Sequence, residues 1–256
     1  MVIKPPVEFH FMNIKSVLIV YILFAATYGA FFWGGYHSLK PTLFLVGFFL
    51  SSIVCIWGSM DFKPMNLVVL MSVTLLTAII DEYAHTSAGV FTYFDGLRPS
   101  PLTVFGWSLF ILGILTVAKM FRKMILPGTD DGGPLNAVPA LISIVLLVGS
   151  MSLQGYLGVI GLLLAVVYLL MGFTSVYYTS LHPLGWNVSV MVSSVAIGAV
   201  MEFMGATEGM WSFYFLEPIP PFMAFTWSLR TWTILLVSES FCSRTRKTWN
   251  LAMFGT

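Results

Sequence analysis

Apolar runs of about twenty residues, separated by short polar turns, recur along the whole chain. Crossing the hydrocarbon core of a bilayer takes about 20 apolar residues at 1.5 Å each. Eight segments meet that rule, near 16–36, 41–60, 65–85, 102–121, 136–153, 157–179, 186–205 and 222–242. They predict an all-α protein, a polytopic transmembrane helix bundle of about eight spans. The first run is long for a signal peptide and no A-x-A cleavage site follows it, so a retained helix is expected. Three connections are longer than the rest: Gly89–Pro101, Arg122–Asn136 and Gly209–Pro221.

Sliding the chain against itself gives one register, at an offset of 120 residues. Glu82 falls on Glu202, Gly89 on Gly209, Pro101 on Pro221, Phe105 on Phe225, and Trp107-Ser108-Leu109 on Trp227-Ser228-Leu229: seven identities in 28 ungapped positions. Chance supplies about two. Phe91-Thr92-Tyr93-Phe94 lies opposite Trp211-Ser212-Phe213-Tyr214, ring against ring and hydroxyl against hydroxyl. The offset divides the chain into a first four-helix repeat (1–126), a linker (127–135) and a second four-helix repeat (136–256) that ends in a short basic tail. Four spans per half is an even number, so the halves are expected to run parallel about an axis along the membrane normal. Pro127 to Pro134, rich in Gly and Asp, reads as the hinge. It lacks the ligand spacing and closing Glu of a calcium loop.

Composition agrees with the span pattern: 58% of residues are hydrophobic and 9% are Asp, Glu, Lys or Arg, against about 25% charged in a soluble domain. A formal charge of +1 gives no reason to expect nucleic acid. Alternate loops differ in cationic content. Nine Lys or Arg (4, 15, 63, 119, 122, 123, 244, 246, 247) fall on the side of both termini and two (Lys40, Arg98) on the other. Cationic loops stay inside, so a multi-pass protein of the cell membrane with both termini cytoplasmic is expected. Cys55 and Cys242 have no partner at metal or disulfide spacing and read as packing residues. Four histidines, at 10, 37, 85 and 182, are too few and too scattered for a multi-histidine metal centre, and no cofactor is expected.

Ionisable residues within membrane segments are functional candidates by default. Here they are Asp81, Glu82, His85, Glu202, Glu208, Arg230 and Glu239. Asp81, Glu82 and His85 share roughly one helical face. Glu82 and Glu202, related by the repeat, could face one cavity and hold between them the proton that an acid catalyst needs. The structural alternative has both bracing the loops beside them through backbone amides or Arg230. Arg230 either neutralises Glu202 or Glu208, or snorkels to the interface. The doubled pattern Glu-x6-Gly-x-[Phe/Trp]-[Thr/Ser]-[Tyr/Phe] sets Phe91, Tyr93, Trp211 and Phe213 near the acids, with Trp107 and Trp227 beyond. A carboxylic acid among aromatic faces, away from water, can protonate an alkene and stabilise the resulting cation. Aromatic residues also gather at membrane interfaces without any substrate.

In Glu202, Gly209, Trp211 and Phe213, echoed by Glu82, Gly89, Phe91 and Tyr93, and in Pro101 followed by Gly106-Trp107, the chain resembles membrane-integral carotenoid-modifying enzymes. These are the carotenoid 1,2-hydratases of the bisanhydrobacterioruberin hydratase type and the related small-subunit lycopene cyclases. The Pro-x-Glu-Glu of the cyclases has no carboxylate counterpart at Pro101–Val104 or Pro220–Met223. The resemblance implies a cofactor-independent isoprenoid hydratase or cyclase, a lyase or isomerase acting on an apolar carotenoid or isoprenoid. Glu82 and Glu202 would then be acid and base, with His85 and Arg230 tuning them. A water near Asp81 or Glu208 would quench the cation in a hydratase, and a second double bond in a cyclase. The rival readings are a transporter or channel with repeat-related carboxylates, and a scaffold.

Overall fold

The computed structural model describes residues 14–125, 134–214 and 221–242. Eight α-helices run in order: α1 (Ile14–Trp33), α2 (Thr42–Ser59), α3 (Pro64–Ser87), α4 (Pro101–Ile125), α5 (Val138–Leu153), α6 (Leu162–Leu181), α7 (Leu184–Thr207) and α8 (Pro221–Cys242). Two three-residue strands, β1 (Phe91–Tyr93) and β2 (Trp211–Phe213), lie between α3 and α4 and between α7 and α8. Seven of the helices are long and apolar enough to cross a membrane, and α8 is not among them. The expected hinge and the basic tail lie outside the described residues.

The helix boundaries follow local chemistry. Pro64 opens α3, where its missing N–H costs nothing and its fixed φ suits a first turn. Gly89 and Gly209 end α3 and α7 with φ near +74° and +73°, the left-handed geometry that a glycine adopts without strain. The next amides turn back onto the helices, Val90 N–H to His85 O at 3.0 Å and Met210 N–H to Gly205 O at 2.8 Å, as in a Schellman cap. Both chain segments therefore leave their helices on the same path and enter β1 and β2.

Shifting α3 and β1 by 120 gives the bounds of α7 and β2: 64–87 becomes 184–207 and 91–93 becomes 211–213. The strands pair antiparallel in the register Phe91↔Phe213, Thr92↔Ser212 and Tyr93↔Trp211. Thr92 and its counterpart Ser212 thus face each other, hydroxyl to hydroxyl at 3.1 Å, and a local twofold passes between them. Alternation turns Thr92 and Ser212 outward and packs Phe91, Tyr93 and Phe213 inward.

Burial sorts the helices into two layers. α1, α2, α5 and α6 expose apolar side chains along their outer faces, among them Leu18, Ile22, Phe49, Val145, Leu169 and Phe173, a surface suited to lipid. α8 instead packs against α7, α5, α6 and α3 and buries polar and apolar positions alike, including Thr226, Ser228, Arg230, Thr231 and Ser238. A helix enclosed by protein is freed from the apolar rule of a lipid-facing one. That is why α8 falls short of the hydropathy of a span although its 22 residues reach about 33 Å at 1.5 Å each.

Candidate functional site

α3 and α7 each bring a glutamate to the interior of the bundle, five positions before the helix ends: Glu82 before Ser87 and Glu202 before Thr207. Both side chains are buried, and both open onto one shared cavity. Its walls are almost wholly apolar. Phe44 and Phe48 come from α2, Phe110 from α4, and Met201 and Met223 from α7 and α8. Phe91, Tyr93 and Trp211 of the strand pair close the end next to the glutamates.

Each glutamate is held by the tryptophan twenty-five residues on. Trp107 Nε1–H donates to Glu82 Oε1 at 2.7 Å and Trp227 Nε1–H to Glu202 Oε1 at 3.1 Å. The two indoles touch, with centroids 4.8 Å apart. The acids differ in their second oxygen. Tyr93 donates its hydroxyl to Glu82 Oε2, whereas the residue matching Tyr93 in the second half is Phe213, which has none to give. Burial, followed by the neighbouring Glu82, pushes the Tyr93 hydroxyl well above its usual range, so it stays a phenol and a donor across physiological pH. Glu202 thus retains an oxygen not claimed by a phenol, with the Trp211 indole alongside. Gly205 makes room for that indole, since a Cβ there would run into it.

Arg230, also buried, lies over both indoles, 4.9 Å from the Trp107 centroid and 4.7 Å from that of Trp227, within cation–π range. Its charge is met by Asp81, Nη2–H to Oδ2 at 2.7 Å. His85 completes the group. Its Nδ1 lies 2.7 Å from the Asp81 carbonyl oxygen, which can only accept, so Nδ1 carries a proton. Nε2 lies 2.7 Å from the Tyr168 hydroxyl.

Several sequence expectations need correction here. Arg230 neither pairs with Glu202 or Glu208 nor snorkels, because among the described residues its carboxylate partner is Asp81 of the other half. Asp81 and Glu82 do not share a destination: consecutive helix positions diverge by about 100°, and while Glu82 enters the cavity Asp81 turns to Arg230. Glu208 does not reach the cavity. It accepts hydrogen bonds from Leu43 N–H at 2.5 Å and Phe44 N–H at 2.8 Å, capping the first turn of α2, where free amides favour a carboxylate. Neither Asp81 nor Glu208, expected to hold a water there, is among the residues lining the cavity. Phe213 packs edge-on against Phe91 with centroids 5.8 Å apart, behind the cavity wall. Phe91, Tyr93, Trp107, Trp211 and Trp227 do line the cavity, together with both glutamates.

Sequence reading missed Phe44, Phe48, Phe110 and Tyr168. The signal was present in the offset, since Phe48 matches Tyr168, Phe110 matches Arg230, Met201 matches Asp81 and Gly205 matches His85. Residues that wall the cavity or adjoin it in one half are, at the same positions of the other, the polar group that fills the corresponding space. Glu208 likewise matches Ala88, which marks it as no part of the repeated acid motif. Replacing Glu208 by Ala is expected to cost about 1–2 kcal/mol, a fall of about 2–8 °C in apparent Tm in detergent, with unchanged turnover per folded molecule. Lost turnover at normal Tm would return Glu208 to the site.

No known protein family, no curated protein and no solved structure matches this chain.

Proposed function

We propose that the protein is an integral-membrane enzyme that protonates a carbon–carbon double bond of a carotenoid or other isoprenoid, leading to hydration or cyclisation. The observation that carries this reading is the meeting of two buried carboxyl groups in one aromatic cavity inside a bundle of apolar helices. Glu202 is the donor, since Glu82 has both oxygens engaged. The proton leaves the Glu202 carboxyl as the alkene π pair forms a C–H bond, and the cation develops on the neighbouring carbon. Phe91, Tyr93, Trp211 and the α2 phenylalanines present faces or edges to it. Trp107 and Trp227 already carry a guanidinium, so they serve as hydrogen-bond donors and not as the cation's main support. In hydration, water adds to the cation and returns a proton to a carboxylate. In cyclisation a second double bond attacks, and a C–H proton is lost to one. Glu82 and Glu202 would themselves hold that water.

With α8 as an eighth crossing, the cation-rich loops and both termini lie in the cytoplasm and the glutamates near the outer face. A carrier is less well supported, because α3 and α7 run unbroken past Glu82 and Glu202, where transporters unwind a helix at the binding site. Purification in mild detergent, solvent extraction, absorption spectroscopy and mass spectrometry test the proposal. A co-extracted polyene or isoprenoid is expected. An extract of bulk phospholipid alone, even after addition of lycopene-type substrate, overturns the reading in favour of a carrier.

A further inference from the structure

The end of the cavity beside the glutamates is covered by the strand pair, whose inward rings Phe91, Tyr93 and Trp211 form its wall. A narrow apolar seam, too tight in this structure for a water molecule, adjoins its side between α1 and α2 and shares Thr27, Phe44, Phe48 and Leu102 with it. This seam also touches Tyr28 and Leu45, which are 50% and 40% exposed on the lipid-facing layer. The passage from outside to inside is lined by a ladder of near-parallel rings. Tyr28 to Phe31 is 6.4 Å at 11°, Phe31 to Phe44 is 6.1 Å at 6°, and Phe44 to Phe48 is 6.1 Å at 15°. Its one inner hydroxyl, Thr27, donates to the Leu23 carbonyl at 2.8 Å within its own helix. Such a slot offers nothing to water or an ion, which would leave its hydration shell uncompensated. A hydrocarbon chain already dissolved in the bilayer loses nothing by entering.

We propose that the cavity is loaded sideways from the bilayer, through the slot between α1 and α2, by a single hydrocarbon chain. On the other side of the local twofold the matching positions carry a different set of side chains. There Phe48 and Phe110 are replaced by Tyr168 and Arg230, which with Asp81 and His85 occupy the equivalent chamber. The chain enters from the α1–α2 side and advances toward Glu82 and Glu202. This inference rests on the proposed function for the use of the cavity, and not for the path into it.

The test uses the full chain with Trp33→Phe, Trp57→Phe and Trp249→Phe, so that the outward-facing indoles Trp33 and Trp57 and the tail indole do not report, and with Cys242→Ser. It is reconstituted in phosphatidylcholine vesicles containing dibromostearate, a chain that quenches indole emission on contact and has no double bond to react. Loss of cavity tryptophan emission is expected. That loss should disappear when a bulky maleimide is attached at Tyr28→Cys and persist when it is attached at Val148→Cys, the matching and equally exposed position of the second half. No quenching, or quenching indifferent to the label on α1, overturns lateral entry. Because nothing is protonated in this assay, it can fail while acid variants still abolish turnover, and succeed while they do not.

Discussion

Replacing Glu202 by Gln is expected to lower turnover by about 10²–10⁴-fold, the usual contribution of a positioned general acid, with expression and apparent Tm close to those of the parent. Gln has the volume of Glu, and its amide oxygen can still accept the Trp227 N–H that now reaches Glu202 Oε1 at 3.1 Å. What it lacks is a proton to give. The comparison is informative because the surroundings stay the same, with the Trp107–Trp227 contact and the Arg230 guanidinium undisturbed. A rate measured on the substrate class recovered from the purified protein decides the matter. Full turnover in Glu202→Gln rules out the acid role, and loss of turnover together with a collapsed Tm would show a structural carboxylate instead.

The largest stability effect is expected at Arg230. Arg230→Met removes the guanidinium paired with Asp81 Oδ2 at 2.7 Å and leaves the carboxylate in a fully enclosed place with only the His85 ring, 3.3 Å away, beside that oxygen. Breaking one side of a buried pair costs about 3–5 kcal/mol, so the apparent Tm in detergent should fall by about 6–20 °C. The other half of the molecule supplies the compensating change. At the matching positions it carries Met201 for Asp81 and Phe110 for Arg230, packed without any charge. Asp81→Met with Arg230→Phe should therefore recover most of the lost stability, since replacing a whole buried pair by apolar residues is often neutral or better. A thermal melt of the three proteins reads this directly. If Arg230→Met alone melts like the parent, the guanidinium is not the partner on which Asp81 depends.

The helical layout was legible because each long segment states its own class: a run of about twenty apolar residues has few options other than a helix. The acid-aromatic motif was legible for a similar reason, as Glu82 and Glu202, Trp107 and Trp227 recur at one spacing within each half. What escaped were relations between halves. Whether Arg230 would meet Asp81, Glu202 or Glu208 depends on how α8 is rotated against α3 and α7, and helical periodicity carries no information on that. Glu208 escaped because a carboxylate capping another helix looks, in sequence, like any carboxylate near a loop. The strands escaped because three-residue segments such as Phe91-Thr92-Tyr93 are too short to show alternation, and they pair only because each supplies the other's partner. α8 was counted as a span with the rest, and its polar content made sense only once its neighbours proved to be protein.

The partnership of Asp81 with Arg230 also has a history during synthesis. The two lie 149 residues apart, so at ~5–20 residues per second the ribosome needs roughly 7–30 s to make the second after the first. For that interval Asp81 sits within the membrane with only His85 of its own helix beside it. The nascent protein must shelter Asp81, whether by the neighbouring His85, a proton, a water defect or the insertion machinery, until α8 arrives. Chains truncated before Arg230 should therefore be recognised as unfinished and degraded, even with seven helices already made.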